Sequence, residues 1–140
     1  MAIWFSEISI EVLNRMGKNT MVEFLGIQFT EVGEDFLSAT MPVNNRTKQP
    51  IGILHGGANM VLAETIASMA ANAVIDSNQF YCVGLEINAN HIRSVKEGLV
   101  TAVTSPIHLG RTTQVWQINI FNEAGKKTCI SRMTASVLTR

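Results

Sequence analysis

Apolar and polar residues alternate along the second half of the chain with the two-residue period of half-buried β-strands. Trp116, Ile118 and Ile120, for example, alternate with the polar residues Gln117 and Asn119. Four consecutive strands are predicted in this way, over residues 80–88, 99–108, 112–122 and 126–138. Two earlier strands, separated by a turn sequence, predict a hairpin over residues 24–32 and 36–43.

The longest apolar run predicts a central helix over about residues 54–75. Its many alanines, together with Gly56 and Gly57, keep this helix slim, so strands can approach it closely. A short amphipathic helix is predicted over about residues 6–16. One long helix and about six antiparallel strands indicate an α+β fold in which the sheet wraps around the helix. We expect one domain, residues 1–140.

The amino-acid composition argues against several classes of protein. The 140 residues are 46% hydrophobic and 16% charged, and eleven basic residues balance eleven acidic ones. This balance argues against a nucleic-acid partner and against disorder. The first residues lack the basic start of a signal peptide, and the central apolar run is too short for a membrane span. We therefore expect a cytoplasmic protein without a membrane partner, with Cys82 and Cys129 as reduced core thiols.

One carboxylate, Glu64, interrupts the apolar run of the central helix. Burying a carboxylate among methyl groups is costly unless something pairs with it, so the sequence predicts a buried residue with a function. The helix opens with His55, Gly56 and Gly57, whose backbone N–H groups lie at the positive end of the helix dipole and can polarise a carbonyl oxygen. A carboxylate facing a polarised carbonyl is typical of acyl transfer, with Glu64 as nucleophile or general base.

Helix geometry places Glu64 and the donors at the head of the helix far apart within one chain. His55 and Glu64 are nine residues apart, which is about 900° of rotation and roughly 13 Å along the axis. Two such helices, antiparallel about a two-fold axis, would place each Glu64 near His55 of the other subunit. Ser68 shares the face of Glu64 and could orient the carboxylate or a water molecule. Gln49 and His55 could add hydrogen-bond donors.

Other catalytic motifs are absent from the sequence. There is no Gly-x-Ser-x-Gly elbow, no dinucleotide fingerprint and no P-loop. The three histidines, His55, His91 and His108, are too scattered for a recognisable zinc motif.

Four sequence blocks carry a resemblance to a known family. They are Leu54-His55-Gly56-Gly57-Ala58 followed by Glu64, and residues 47–50, 83–91 and 106–111. Together they resemble the hotdog-fold acyl-CoA thioesterases of the phenylacetate-pathway type. Within that family the likeness is to the bacterial 1,4-dihydroxy-2-naphthoyl-CoA hydrolases and the enterobactin-pathway proofreading thioesterases. It extends over about residues 16–138.

The resemblance implies a homodimer, usually paired into a homotetramer, with no metal and no cofactor, since coenzyme A is part of the substrate. It implies Glu64 as nucleophile or general base, and the Gly56 N–H, helped by Gln49 and His55, as the group that polarises the thioester carbonyl from the other subunit. Ser68 would orient the attacking group. The residues implied to hold coenzyme A are Gly84, His91, Ile92, Arg93, Ser94, His108, Leu109, Gly110, Arg111, Thr112 and Thr113. Met69 and Asn72 would contact the acyl group.

The leading hypothesis is hydrolysis of an aromatic acyl-CoA such as 1,4-dihydroxy-2-naphthoyl-CoA, in menaquinone biosynthesis. One alternative is a proofreading thioesterase that acts on aryl groups attached to a carrier protein. Another is a non-catalytic acyl-CoA-binding protein on the same fold. A dehydratase fits the residues around Glu64 less well.

Overall fold

The computed structural model describes residues 1–140 and contains three helices and six strands. The elements are α1 (Ile10–Met16), α2 (Met21–Phe24), β1 (Gln28–Val32), β2 (Leu37–Pro42), α3 (Gly56–Ala73), β3 (Phe80–His91), β4 (Leu99–Leu109), β5 (Thr113–Phe121) and β6 (Lys127–Thr139). All six strands form one antiparallel sheet in the order β1-β2-β4-β5-β6-β3. The predicted α+β fold, one long helix against a six-stranded antiparallel sheet, is confirmed, and it is the arrangement that the hotdog resemblance implies.

Helix α3 packs against five of the six strands, β2 to β6. Leu62 and Ile66 on the helix are completely buried, as are Trp116 and Ile118 on β5. Each such aliphatic side chain contributes about 1.5–3 kcal/mol through its burial. Several fully buried alanines on the same face of α3, Ala63 and Ala67 among them, let the backbone of the helix lie close to the sheet.

Both predicted helices are shorter in the structure than expected. Helix α1 begins at Ile10 rather than at residue 6, because Ser9 is extended and forms its N-cap. Helix α3 runs over Gly56–Ala73 rather than 54–75. At its start Leu54 is held in an isolated β-bridge with Lys48, and at its end the C-cap residue Val74 leaves the helical conformation.

The predicted strand over residues 24–32 is wrong at its start, because helix α2 ends at Phe24 and β1 begins only at Gln28. Thr20 caps α2 by accepting a hydrogen bond from the Val22 N–H, and the Glu23 carboxylate accepts one from the Asn19 N–H. The Thr-x-x-Glu spacing is the capping-box signature of a helix start, and the sequence interpretation overlooked it.

Strand β3 lies at one edge of the sheet, paired only with β6. The pairing register shifts between Gly84 and Glu86, so Leu85 is one extra residue in a β-bulge. Val83 and Leu85 are 40% and 65% exposed. A 12-residue edge strand therefore carries free backbone groups and exposed apolar side chains.

Both cysteines are buried and form no disulfide, as predicted for core thiols. Burial raises the pKa of the Cys82 thiol, and it raises that of the Cys129 thiol to about 11. None of the helices combines the length and the apolar character needed to cross a membrane.

Candidate active site

The head of helix α3 leaves one backbone donor free. His55 is the N-cap, and its Nδ1 accepts a hydrogen bond of 2.8 Å from the Gly57 N–H. The N–H groups of Ala58 and Asn59 donate to the His55 carbonyl at 3.0 and 3.3 Å. The Gly56 N–H has no hydrogen-bond partner within the chain. The positive end of the helix dipole thus presents one unsatisfied donor, which can bind an anion or polarise a carbonyl oxygen.

The Gly56 residue borders a cleft of about 370 Å³ that Gln49, Asn59 and residues 91–95 also line. The His91 ring lies against the helix head, since a Cβ added at Gly56 would be 2.9 Å from its Nε2. The structure therefore brings together three predicted features: the free donor of Gly56, the Gln49 side chain, and the first of the two segments implied to hold coenzyme A.

One residue of this cleft, Asn59, was missed by the sequence interpretation. It lies on the buried face of α3 and is 5% exposed. Its Nδ2 is 3.3 Å from the Nδ1 of His91, and its Oδ1 has no hydrogen-bond partner. The signal in the sequence was an asparagine within the first turn of an otherwise apolar helix face, where a polar side chain needs a reason.

The ring of His55 lies outside this cleft. It borders a different groove, of about 360 Å³, together with Phe24, Lys48 and Val61. Because its Nδ1 accepts the hydrogen bond from Gly57, a neutral ring carries its proton on Nε2. Within one chain, His55 shapes the helix head and does not line the cleft beside Gly56.

The carboxylate of Glu64 is exposed in the single chain, so the predicted burial is wrong. Its neighbours Leu62, Ala63 and Ile66 are buried in the core, whereas the Glu64 carboxylate lies beside Gly84 of the edge strand β3. A Cβ added at Gly84 would be 2.6 Å from its Oε1, so the carboxylate rests where only glycine leaves room. No Lys, Arg or His side chain forms a salt bridge with it.

Ser68 and the two residues predicted to contact the acyl group have distinct surroundings. The Ser68 hydroxyl donates to the Met133 Sδ at 3.6 Å and is not hydrogen-bonded to Glu64. Met69 and Asn72 line a largely apolar groove of about 340 Å³ between α3 and the N-terminal segment.

The Asn72 side chain is also a clamp between α3 and β3. Its Oδ1 accepts a hydrogen bond of 2.9 Å from the Cys82 N–H, and its Nδ2 lies 3.3 Å from the Cys82 carbonyl. The same Nδ2 donates to the Ser68 carbonyl at 2.9 Å. Since these bonds occupy both ends of the amide, Asn72 holds the start of β3, and with it Gly84, against the helix.

The two segments implied to hold coenzyme A lie at opposite ends of the sheet. His91 pairs with Cys129 at the start of β6. Gly84, in contrast, pairs with Ala135 on β6. Ala135 pairs with Gln114 on β5, and Gln114 pairs with Leu109 near the start of the segment 108–113. Seven residues of strand, roughly 20 Å, separate these two rows along β3. Within one chain these two segments therefore do not lie next to each other.

The second segment has a groove of its own. Gly110 and Arg111 border a cavity of about 480 Å³, together with Phe80 and Val137. The Gly110 N–H donates to the Thr113 carbonyl at 2.9 Å, which closes the β4–β5 hairpin. Arg111 is exposed, so its guanidinium is available to an anionic group. No three His, Cys, Asp or Glu side chains lie close enough together to hold a metal ion.

Comparison with known proteins relates these features to enzymes. The model of the thioesterase superfamily matches residues 51–129, which include α3 and the strands β3 to β5. A 1,4-dihydroxy-2-naphthoyl-CoA hydrolase from Escherichia coli K12 is 54% identical over 136 residues, 97% of this chain and 99% of the relative. A proofreading thioesterase, EntH, from Cronobacter sakazakii is 48% identical over 97% of this chain and 98% of its own. The crystal structure of a mutant thioesterase from Pseudomonas aeruginosa matches with a TM-score of 0.98 and 47% identity, covering 99% of this chain and all of the other.

Proposed function

This chain belongs to the thioesterase superfamily and is a thioester hydrolase, and we propose that it cleaves aromatic acyl-CoA thioesters, such as 1,4-dihydroxy-2-naphthoyl-CoA, to the free acid and coenzyme A. The observation that carries the proposal is the free Gly56 N–H in a cleft, combined with the exposed carboxylate of Glu64 on the same helix. The 54% identity to a hydrolase of that name supports the acyl group and a role in menaquinone biosynthesis.

The proposed reaction begins when the thioester carbonyl oxygen accepts a hydrogen bond from the Gly56 N–H. Glu64 either attacks the carbonyl carbon or takes a proton from the water that attacks it. Negative charge then develops on the carbonyl oxygen, where the helix head and the Gln49 amide stabilise it. Collapse of this intermediate breaks the carbon–sulfur bond and releases coenzyme A as the thiolate, which takes up a proton from Glu64 or from water. On the route in which Glu64 attacks directly, water then hydrolyses the mixed anhydride between Glu64 and the acyl group, which frees the acid and restores the carboxylate. His55 contributes by capping the helix, and Ser68 by orienting the attacking group.

Two chains are needed to assemble this site. Glu64 follows Gly56 by eight residues, which is about 12 Å along the helix axis. We therefore assign Glu64 to one subunit and the Gly56 donor to the other, in a homodimer with two equivalent sites. The free edge of β3, with exposed Val83 and Leu85, supports an interface on this side of the molecule. Pairing of two dimers into a homotetramer completes the proposal.

The same assembly explains the two separated coenzyme A segments. In one chain Arg93 and Arg111 lie at opposite ends of the sheet, whereas a dimer can bring Arg93 of one subunit near Arg111 of the other. Arginine is well suited to the phosphates of coenzyme A because its guanidinium binds them through two hydrogen bonds. The backbone of Gly110 allows a pyrophosphate to approach closely.

The substitution Glu64→Gln tests the catalytic role, because it removes the charge and keeps the shape. We expect kcat for release of the thiol from benzoyl-CoA and 1,4-dihydroxy-2-naphthoyl-CoA to fall by about 100- to 10,000-fold. Glu31→Gln, at an exposed position of β1, is the matched control and should keep the wild-type rate. Full activity of Glu64→Gln refutes the mechanism.

Mixed dimers test the two-chain site. Gly56→Pro removes the N–H at a position where proline is favoured in a helix, the first residue after the N-cap. Glu64→Gln and Gly56→Pro subunits should each be inactive alone. After unfolding and refolding together, half of the dimers are mixed and one of their two sites is intact, so about a quarter of the wild-type activity should return. No recovery excludes a shared site.

A second candidate function has support from the 48% identical relative named as a proofreading thioesterase. In this version the leaving thiol belongs to an aryl-carrier protein rather than to coenzyme A. The two functions are distinguished by measuring the catalytic efficiency, kcat/KM, for the same acyl group attached to coenzyme A and to the carrier protein. A preference for the carrier-protein thioester would favour proofreading.

A further inference from the structure

The cleft at the head of α3 contains a second polar group, the ring of His91, close to Gly56. An oxyanion in an acyl-transfer site is typically held by more than one donor. The ring of His91 is the side chain nearest to Gly56: its Nε2, Cε1 and Cδ2 atoms would all lie within 2.9–3.3 Å of a Cβ at that position. Of the three ring atoms, Nε2 is the closest, and His91 itself is exposed to the cleft.

We propose that His91 is a further catalytic residue, whose Nε2–H donates to the thioester carbonyl oxygen beside the Gly56 N–H, and that Asn59 is the positioning residue that keeps the proton on Nε2. This inference rests on the proposed thioesterase function. It assigns both donors to the subunit opposite the one that supplies Glu64.

The contact between Asn59 and His91 determines which ring nitrogen carries the proton. The Asn59 Nδ2 lies 3.3 Å from the His91 Nδ1. A ring nitrogen that accepts a hydrogen bond carries no proton, so in the neutral ring the proton is on Nε2. The reverse orientation of the Asn59 amide would leave its NH₂ group buried without an acceptor. Unpaired buried N–H groups are rarer than under-satisfied carbonyl oxygens, so the amide donor faces His91.

The surroundings of Asn59 indicate a functional constraint rather than a packing one. It is 5% exposed, next to Ala58 and one turn before Leu62 on the face of α3 that packs against the sheet. Its Oδ1 has no hydrogen-bond partner. Alanine at this position would favour the helix and leave no buried polar atom unpaired. The arrangement is accounted for if the amide is needed to orient the ring of His91.

Nitrogen-15 NMR of the histidine side chains, at a pH where the rings are neutral, tests the positioning step without any substrate. Comparison with the His91→Gln spectrum identifies the signals of His91 among those of the three histidines. In the wild-type protein we expect the tautomer with the proton on Nε2. Asn59→Asp offers only acceptors and should move the proton to Nδ1, whereas Asn59→Ala should give a mixture. A wild-type ring with its proton on Nδ1, or a tautomer that neither substitution changes, overturns the role of Asn59.

Steady-state kinetics test the catalytic step. His91→Ala should lower kcat by about 100-fold, the usual cost of losing one oxyanion donor, with KM changed by no more than about 2-fold. His91→Gln, which keeps an N–H donor, should retain part of the rate. Arg93→Ala, in the same cleft, provides the contrast and should raise KM instead. A rise in KM alone for His91→Ala overturns the donor role.

The same experiments separate this inference from the proposed function. If the wild-type protein hydrolyses no acyl thioester, the proposed function fails whatever the tautomer of His91. If it hydrolyses thioesters and Glu64→Gln abolishes this activity, but His91→Ala keeps the wild-type kcat, only the present inference fails.

Discussion

Gly84 offers a direct test of how strictly the Glu64 carboxylate must be placed. An added methyl group at this position would lie 2.6 Å from the Glu64 Oε1, and ordinary contact begins at 3.4 Å. In Gly84→Ala the carboxylate must therefore withdraw by about 0.8 Å. A displacement of about 1 Å in a catalytic group can cost as much as 100-fold in rate. We expect kcat to fall by between about 10- and 100-fold.

In Gly84→Ala the free energy of unfolding should rise slightly or stay unchanged, although kcat falls. The nearest atom is the end of a flexible, exposed side chain, and the next contacts, to the Glu64 Cδ and the Met133 Sδ, are at 3.7 and 3.9 Å. Gly84 has no positive φ, so alanine is accepted by the backbone. A compatible glycine-to-alanine change stabilises a protein by about 0.4–1 kcal/mol through the unfolded state. Loss of rate without loss of stability is the expected signature.

The assay combines thermal unfolding with thiol release from an aromatic acyl-CoA. A double-mutant cycle provides the control, because Glu64→Asp shortens the side chain by one methylene group and withdraws it from the new methyl. In the Glu64→Asp background, Gly84→Ala should cost much less than it does in the wild type. The reasoning is refuted if Gly84→Ala keeps the wild-type kcat, or if its cost is the same in both backgrounds.

Substitutions at a helix cap, at the contact between α3 and β3 and at a buried thiol should change stability or dynamics. His55→Ala removes the cap on the Gly57 N–H and should lower the free energy of unfolding by about 1 kcal/mol in denaturant titrations. Asn72→Ala releases the Cys82 backbone and should accelerate hydrogen exchange at the start of β3 more than in the centre of the sheet, which equal exchange would contradict. Burial raises the pKa of the Cys129 thiol to about 11, whereas in the unfolded chain it has the ordinary value of about 8.5. The free energy of unfolding therefore keeps its full contribution from this thiol below a pH of about 8.5. That contribution falls as the unfolded chain loses the proton, and it is lost as the pH rises through about 11. Cys129→Ala should flatten the fall of melting temperature in that range.

The order and type of the main elements could be predicted because the two hydrophobic periods are distinct in this chain. The alternation around Trp116 and Ile118 gave strand β5 almost to the residue. The end of β3 was harder, since Asn88, Ala89 and Asn90 have low strand propensity. Pairing of these residues with β6 overrides that preference, and pairing between distant strands is not visible in a local pattern.

Residue types indicated that backbone donors lie at the head of α3, as the free Gly56 N–H does, but they did not indicate the surroundings of Glu64. An alanine-rich helix is apolar on most faces, so the sequence around Glu64 does not indicate which turn faces the sheet. The role of Asn59 was equally hidden, because it depends on His91, a residue 32 positions away. Contacts of this kind become visible only when the register of the sheet is known.

The extra residue at Leu85 determines which residues of β3 point toward α3 after the bulge. Side chains of a regular strand that point the same way share odd or even numbers, yet Gly84 and His91 both face α3. Because of the bulge, even-numbered residues face α3 before Leu85 and odd-numbered residues face it afterwards. A relative that lacked one residue here would turn its counterpart of His91 to the outer surface, even if the residue itself were unchanged. An insertion or deletion in this short stretch is therefore as informative about the chemistry of a homologue as the identity of its histidine.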